Sequence, residues 1–451
     1  MAKVKSITAV PVEVGGVRQY GAEPYVGIFL STSPGLVIRD YDLVKKILYK
    51  DTEYFASRIM AFDEHSEPVA FHSLFALSSE RWKLARSGLT RGFTSAKLKK
   101  YVEDMLHVAK MLQSRLSEES RRESIAEDLS WAFTVDTLNK ILFGVQGTAM
   151  QNPKDDLLNL TKELYRTDLW RTISKFLLFS APQIYSLLHM KAFPPKMMDK
   201  IREATLAMVK TKGMDATNFI GLLRELRERD LCSEEERPFR FDGDQLAAQV
   251  FAFVLAGTDT LSAAMTYALY ELAKNQDYQE ILRNEVQNIL PRGIDDINYD
   301  KLKSMKYLNM IIMETLRLHP SFPFVDRKCT KDYVLPGTDC KIEKGVIVFI
   351  PMWGLHKDPK YWERPEEFYP EHFSDIKAAA TKPYLPFSEG PRTCIGMRLV
   401  LLEMGVFLTS LVSNWRWRLP QDAPEPQCDP LTYTNIPKQP TKIIFKALKK
   451  E

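Results

Sequence analysis

Cysteine is scarce in this chain of 451 residues, and its five copies, at 232, 329, 340, 394 and 428, make an odd count with no CxxC pair. A zinc ribbon and a complete disulfide framework are thereby excluded, and a reducing compartment suits the pattern. Long hydrophobic runs are missing too. The opening Met1-Ala-Lys-Val-Lys-Ser has no signal-peptide core, and no segment reaches the ~18 uninterrupted apolar residues of a membrane span. The nearest candidate, Leu246–Leu272, contains Gln249, Asp259 and Glu271, costly groups in lipid, and reads as a buried helix. Charge of neither sign is in excess: 62 Lys+Arg against 58 Asp+Glu leave +4, which argues against a dedicated nucleic-acid binder. Neither a GxGxxG nor a P-loop is present.

What is present is apolar residue in quantity. At 45% hydrophobic, the chain can bury a large core and is not disordered. Length alone suggests about three domains, but helical and strand patterns interleave without a linker, repeat or low-complexity stretch. One large, mainly α domain with a small β region is predicted. Two short strands are expected in 24–40 around Ser33-Pro34-Gly35, then a helix over 41–49 capped by Asp40. A loop with scattered aromatics covers 56–80, and mostly helical patterning runs from Glu80 to Gly213. Residues 229–240 read as a charged surface loop, 244–274 as a helix apolar nearly all round except for one polar knot, and 301–318 as a helix stopped by Pro320. A small sheet in 332–350, irregular chain over 351–390 and a helix from Cys394 to Trp415 complete the pattern.

A lone cysteine is most often a small buried hydrophobe. The neighbours of Cys394, in Phe387-Ser-Glu-Gly-Pro-Arg-Thr-Cys-Ile-Gly396, point elsewhere. Gly390 and Gly396 permit a tight loop close to a flat partner, and Arg392 adds charge for an anion. A helix start at Cys394 stabilises a thiolate. No histidine stands nearby to act as a base, so a metal-bound thiolate fits better than a nucleophile.

Here the sequence resembles the cytochrome P-450 family, over about residues 20–450. FxxGxRxCxG is the family's haem-binding signature, with Cys394 as the axial thiolate, and the resemblance implies haem b as cofactor. Glu314-Thr-Leu-Arg317 matches the family's ExxR ion pair, and Ala256-Gly257-Thr258-Asp259-Thr260 its oxygen-activating motif, in which Asp259 and Thr260 relay protons and the small residues admit the haem. Trp82 and Arg86 match a WxxxR that binds haem propionates, with Arg327 and Arg392 as further propionate contacts, and Phe387 opens the cysteine loop. One position departs from the pattern: His372 stands where the family usually continues the ExxR network with arginine. Leu261 replaces a common hydroxyl residue.

The resemblance implies the cytochrome P-450 fold, with haem between a long central helix and the cysteine loop, and monooxygenase chemistry. It also implies a separate NADPH–cytochrome reductase, with cytochrome b5 as a further partner; Lys83, Lys97 and Arg398 are candidates for docking. The phrasing of 331–373 is most like microsomal insect enzymes that oxidise plant compounds and insecticides. Residues 1–19 match nothing in the family and read as an atypical or replaced start, without the expected anchor and proline hinge. The expected location is the cytoplasmic face of the endoplasmic reticulum. Segment 173–198 reads either as a membrane-surface element or as a core-facing helix pair. By position, the substrate pocket draws on Phe62, Phe71, Phe75, Phe253, Phe322, Val325 and Tyr433, which suits a small hydrophobic substrate such as a terpenoid. Two other readings are a haem-thiolate isomerase or lyase acting on hydroperoxides and a haem protein that only binds hydrophobic ligands. The intact Asp259 and Thr260 speak against the first.

Overall fold

A computed structural model describes residues 23–448 except 31–32, 61, 119–122, 166–167, 212–216, 430–431 and 433. The expected pocket residue Tyr433 and residues 1–19, expected to be an atypical or replaced start, lie outside the described residues. The chain opens with strands β1 (Tyr25–Leu30) and β2 (Ser33–Ile38). Ser33, Pro34 and Gly35 belong to β2 itself and pair with β1, so they do not form the expected turn. Asp40 caps the short helix α1 (Tyr41–Lys45), its carboxylate accepting from the amides of Asp42 and Leu43. The aromatic-rich loop contains one short helical stretch, Pro68–Phe71.

Helices then dominate: α2 (Ser79–Thr90), α3 (Ser95–Glu118), α4 (Ala126–Leu138), α5 (Asp156–Tyr165), α6 (Leu169–Ser180), α7 (Pro182–Leu187), α8 (Pro195–Lys210) and α9 (Phe219–Leu231), with strand β3 (Glu123–Ile125) between α3 and α4. The charged loop therefore starts only after Leu231. Asp230 is buried and anchors the far side of that loop by accepting from Phe241 N at 2.8 Å.

The 32-residue α10 (Gly243–Lys274) organises the fold. Its first half, including Leu246, Val250, Phe251 and Val254, belongs to an apolar core shared with α8, α9 and the segment after Phe62. Its second half, including Leu261, Met265, Leu269 and Leu272, belongs to another core built with α3, α4 and the later helices. The polar knot, 256–260, falls at the junction between these two cores.

Beyond α10 come α11 (Gln276–Ile289), a short helix Tyr299–Ser304, and α12 (Lys306–Leu318). The expected single helix over 301–318 is thus broken at Met305. Strand β4 (Val325–Lys328), which the sequence did not announce, pairs with β7 (Ile347–Ile350), while β5 (Tyr333–Val334) and β6 (Lys341–Ile342) pair with each other in a separate sheet, so the small sheet expected in 332–350 is divided between two. The main sheet has the order β1-β2-β7-β4, with β2 and β7 parallel and Arg327 opposite Val348. The last helix, α13 (Met397–Asn414), leads into β8 (Trp415–Arg418), which pairs with β9 (Lys442–Ala447). Both α10 and α13 are long and apolar enough to cross a membrane, but most of each is buried inside the protein, as expected of core helices.

Candidate functional site

Two residues with positive φ, Ser388 (59°) and Gly390 (75°), shape the loop that carries Cys394. A Cβ at position 390 would lie 1.8 Å from the Leu48 carbonyl oxygen, so only glycine fits there. Thr393 N donates to Gly390 O at 3.0 Å and Cys394 N to Phe387 O at 2.9 Å, closing the loop just before α13. The Cys394 thiol keeps exposed surface, yet burial among protein atoms pushes its pKa up. The Gly396 amide at the start of α13, then the guanidiniums of Arg86 and Arg58, pull the other way. The thiol thus keeps surface free for a ligand, and a metal cation bound there would deprotonate it outright.

Four guanidiniums gather beside this thiol. Arg327 and Arg392 are buried; burial first, and then the neighbouring Arg58, hold each of them down to about 9. Asp326 is the acidic group acting on both, and its Oδ2 already accepts from Ile59 N at 2.7 Å. Arg392 donates to Leu77 O at 2.7 Å and lies 4.5 Å over the Trp82 ring. Arg327 donates to Ser388 Oγ at 3.1 Å. The Nε atoms of Arg58 and Arg392 have no partner among the described residues. The cluster is short of negative charge, and the paired carboxylates of a haem would supply it. The residues therefore fit the group: Cys394 would ligate the iron, while Trp82, Arg58, Arg86, Arg327 and Arg392 would hold the propionates.

Glu314 and Arg317, spaced i,i+3 on α12, are fully buried. Arg317 grips both carboxylate oxygens at 2.8 Å through Nε and Nη2. Its remaining N–H groups donate to the carbonyls of His356, Pro365 and Glu367 at 2.7–2.8 Å. All five guanidinium donors are thus used. Glu314 also accepts from Tyr369 N at 2.8 Å and faces His372 Nδ1 at 3.2 Å. The ion pair so holds one turn of α12 to the irregular chain that leads to the cysteine loop.

At the junction of α10, Leu255, Ala256, Gly257 and Thr260 keep partial exposure within an otherwise buried helix. Ile395, next to Cys394, packs against the same large apolar core as Leu255 and Trp82. Thr260 Oγ1 donates to Ala256 O at 2.6 Å, one turn back. The Cβ direction of Gly257 meets Leu138 of α4 at 3.2 Å, so this glycine also serves close helix packing. Asp259 is fully buried and points away from Thr260 toward the C-terminal chain, accepting a hydrogen bond on Oδ2 from Thr434 Oγ1. Its Oδ1 has no partner among the described residues. Burial raises its pKa to about 7 against the pull of Thr434 and Lys175.

The description "Cytochrome P450" fits the family model that matches residues 17–446. The chain belongs to the cytochrome P-450 family. It is 34% identical over 401 residues to cytochrome P-450 6j1 of Blattella germanica, covering 87% of this chain and 78% of that protein. Cytochrome P-450 6a2 of Drosophila melanogaster is also 34% identical, over 406 residues, with 87% and 80% covered. Cytochrome P-450 9e2 of Blattella germanica is 33% identical over 434 residues, with 89% and 81% covered. As a cytochrome P-450 the protein is a haem b monooxygenase, an oxidoreductase, and the mainly helical fold with small sheets is that of the family.

Within this cytochrome P-450 the expected pocket residues divide. Phe62 is buried against Phe193, ring centroids 5.8 Å apart, and Phe71 lies beneath the Arg81 guanidinium. Phe322 is 37% exposed, Phe75 partly exposed, and Val325 begins β4. Phe253, partly exposed, stacks on Phe93 at 5.5 Å and packs at a tilt on Phe219 at 4.1 Å, joining α10 to α9. Two of the expected docking cations are also engaged. Lys97 donates to Thr217 O at 2.7 Å, and Arg398 to Tyr299 OH at 2.7 Å and Ser95 Oγ at 3.0 Å. Sequence reasoning missed Arg58 and Thr434. Arg58 reaches the arginine cluster because Ser57 bridges to Lys328 beside Arg327, a pairing 271 residues apart in sequence with no local signal.

Proposed function

We propose that this cytochrome P-450 oxidises small hydrophobic compounds, plant terpenoids and insecticides among them, with electrons from a separate NADPH–cytochrome reductase and from cytochrome b5 as a second donor. The carrying observation is the accessible Cys394 thiol beside an arginine cluster short of anionic charge. When bound, the haem supplies the centre at which dioxygen is activated and one oxygen atom is transferred.

The chain's own residues prepare that centre. Glu314 and Arg317 fix the approach of the cysteine loop, with His372 as the third member of the network. Ala256 and Gly257 remove bulk at the junction of α10. Thr260, whose O–H is held on Ala256 O, presents its oxygen lone pairs to an incoming proton. Asp259, half-protonated near pH 7, exchanges protons at its free Oδ1. Phe62, Phe71, Phe75, Phe322 and Val325 provide apolar and aromatic surface for substrate, and no charged group among them selects a polar one.

Peripheral contact with a membrane, at the cytoplasmic face of the endoplasmic reticulum, is supported by an exposed apolar patch on α6 and α7. Leu169, Trp170, Leu187 and Leu188 are each 60–79% exposed there. The deciding experiment is the reduced, carbon-monoxide-bound spectrum, together with product formation in the presence and absence of reductase. A strongly red-shifted Soret band lost in Cys394→Ser, with oxidised product only when NADPH and reductase are present, is expected. A band unchanged in Cys394→Ser, or turnover of a fatty hydroperoxide without reductase, overturns the reading.

A further inference from the structure

A cleft of about 1270 Å³ opens between α5 and α8, floored by Val250 and Val254 of α10. It exceeds the roughly 300–1,000 Å³ of most small-molecule clefts. It is not the haem cavity: neither Cys394, any of the four arginines nor any residue of 255–260 lines it. Phe193 lines its inner side and packs on Phe62 and Phe251, which separates it from the loop after Phe62.

Its lining is chiefly apolar along one stripe of α8, where Met197, Ile201 and Ala204 follow helical spacing. Lys196 and Lys200, one turn apart on that helix, stand on the same wall with exposed side chains. Neither has an ion pair among the described residues, and like charges at i,i+4 repel. Across the cleft Asp156 is the opposing charge, since Glu163 is neutralised by Arg171 at 2.9 Å. Trp170 and Leu188, of the exposed apolar patch, also line the cleft, so it opens beside the surface from which an amphiphile would enter.

We propose that this cleft is an accessory binding site for a long-chain fatty-acid carboxylate, its chain along the α8 stripe and its head on Lys196 and Lys200. The charge of the paired lysines selects the anionic head, and the apolar floor selects the single chain. The site is independent of the haem pocket and of whichever substrate that pocket takes.

The test is equilibrium binding of a fluorescent conjugated eighteen-carbon fatty acid to the haem-loaded protein, with a saturating haem-coordinating azole present throughout. Binding that survives the azole, and is weakened at least tenfold by Ala204→Trp, is expected. Lys196→Glu with Lys200→Glu weakens the acid by a similar factor and leaves the matching fatty alcohol unchanged; these positions are exposed, so the variant reports even where the tryptophan variant fails to fold. The azole-induced spectral shift stays the same in every variant. Displacement of the probe by the azole, indifference to the charge reversals, or equal binding of the alcohol and the acid overturns the proposal.

Discussion

Nδ1 of His372 faces the Glu314 carboxylate, 3.2 Å from each oxygen, while Nε2 of the same ring meets the Glu363 carbonyl. Both partners are acceptors, so a neutral imidazole, with one N–H, satisfies only one of them. Arginine, the usual family residue, carries its charge at every working pH and offers more donors. His372→Arg is therefore expected to raise the temperature of haem release by a few degrees, on the order of 1 kcal/mol. A thermal ramp followed at the Soret band checks it, and an unchanged or lower midpoint removes the idea.

Arg317 allows no such exchange. Its five N–H donors meet one carboxylate and three carbonyls, all in one planar fork. Lysine has three donors and no fork, so Arg317→Lys leaves buried carbonyls unpaired and Glu314 poorly neutralised. A loss of about 3–5 kcal/mol is expected. The readout is the yield of folded haem-loaded protein by its carbon-monoxide spectrum. A yield equal to wild type shows that the network is dispensable.

These two cases also show how much of the site is legible in the sequence. Glu314, Arg317 and His372 were readable because a short spacing on a helix, or a fixed place in a motif, marks them. The same holds for α10: an apolar run interrupted by one polar knot specifies a central helix, and the helix runs through the knot unbroken. Arg58 and Thr434 were not legible, because their roles arise from pairings across hundreds of residues. The contacts of Phe253 with Phe93 and Phe219 carry no local signal either, since a phenylalanine near the knot serves a helix–helix contact as readily as a cavity wall. Ser33-Pro34-Gly35 reads as a turn on local preference, but pairing with β1 and β7 overrides it at Gly35.

Asp259 ties stability to pH. Its carboxyl is raised by burial from 3.8 to about 7. An acid whose folded pKa lies above its unfolded value gives stability that is fully present below the unfolded pKa and lost as pH rises through the folded one. Asp259→Asn, neutral throughout, should then melt higher than wild type above pH 7, with the gain vanishing below about pH 4. The same variant should lose turnover by about 10²–10⁴-fold, the usual worth of a positioned acid or base. Melting at pH 5 and pH 8, with turnover measured alongside, checks both. A gain that is independent of pH, or turnover that survives, separates Asp259 from the proton path.

Thr434 sets where that titration falls. Its hydroxyl donates to Asp259 Oδ2 and is the largest influence holding the carboxyl down against burial, ahead of Lys175. Thr434→Val keeps the shape but removes the donor, leaving neither carboxylate oxygen with a hydrogen-bond partner among the described residues. The carboxyl should move above 7, so the stability lost between about pH 4 and pH 7 in wild type continues to fall at higher pH in the variant. At pH 8 the variant is expected to be less stable by about 1–3 kcal/mol, the cost of stranding a buried acceptor. In an Asp259→Asn background the substitution should have no pH-dependent effect, since no charge remains to be stranded. Melting curves from pH 4 to pH 9 in both backgrounds decide it. If the pH dependence of Thr434→Val persists when Asp259 is already asparagine, the hydroxyl acts on another group and the Thr434–Asp259 bond does not control the titration.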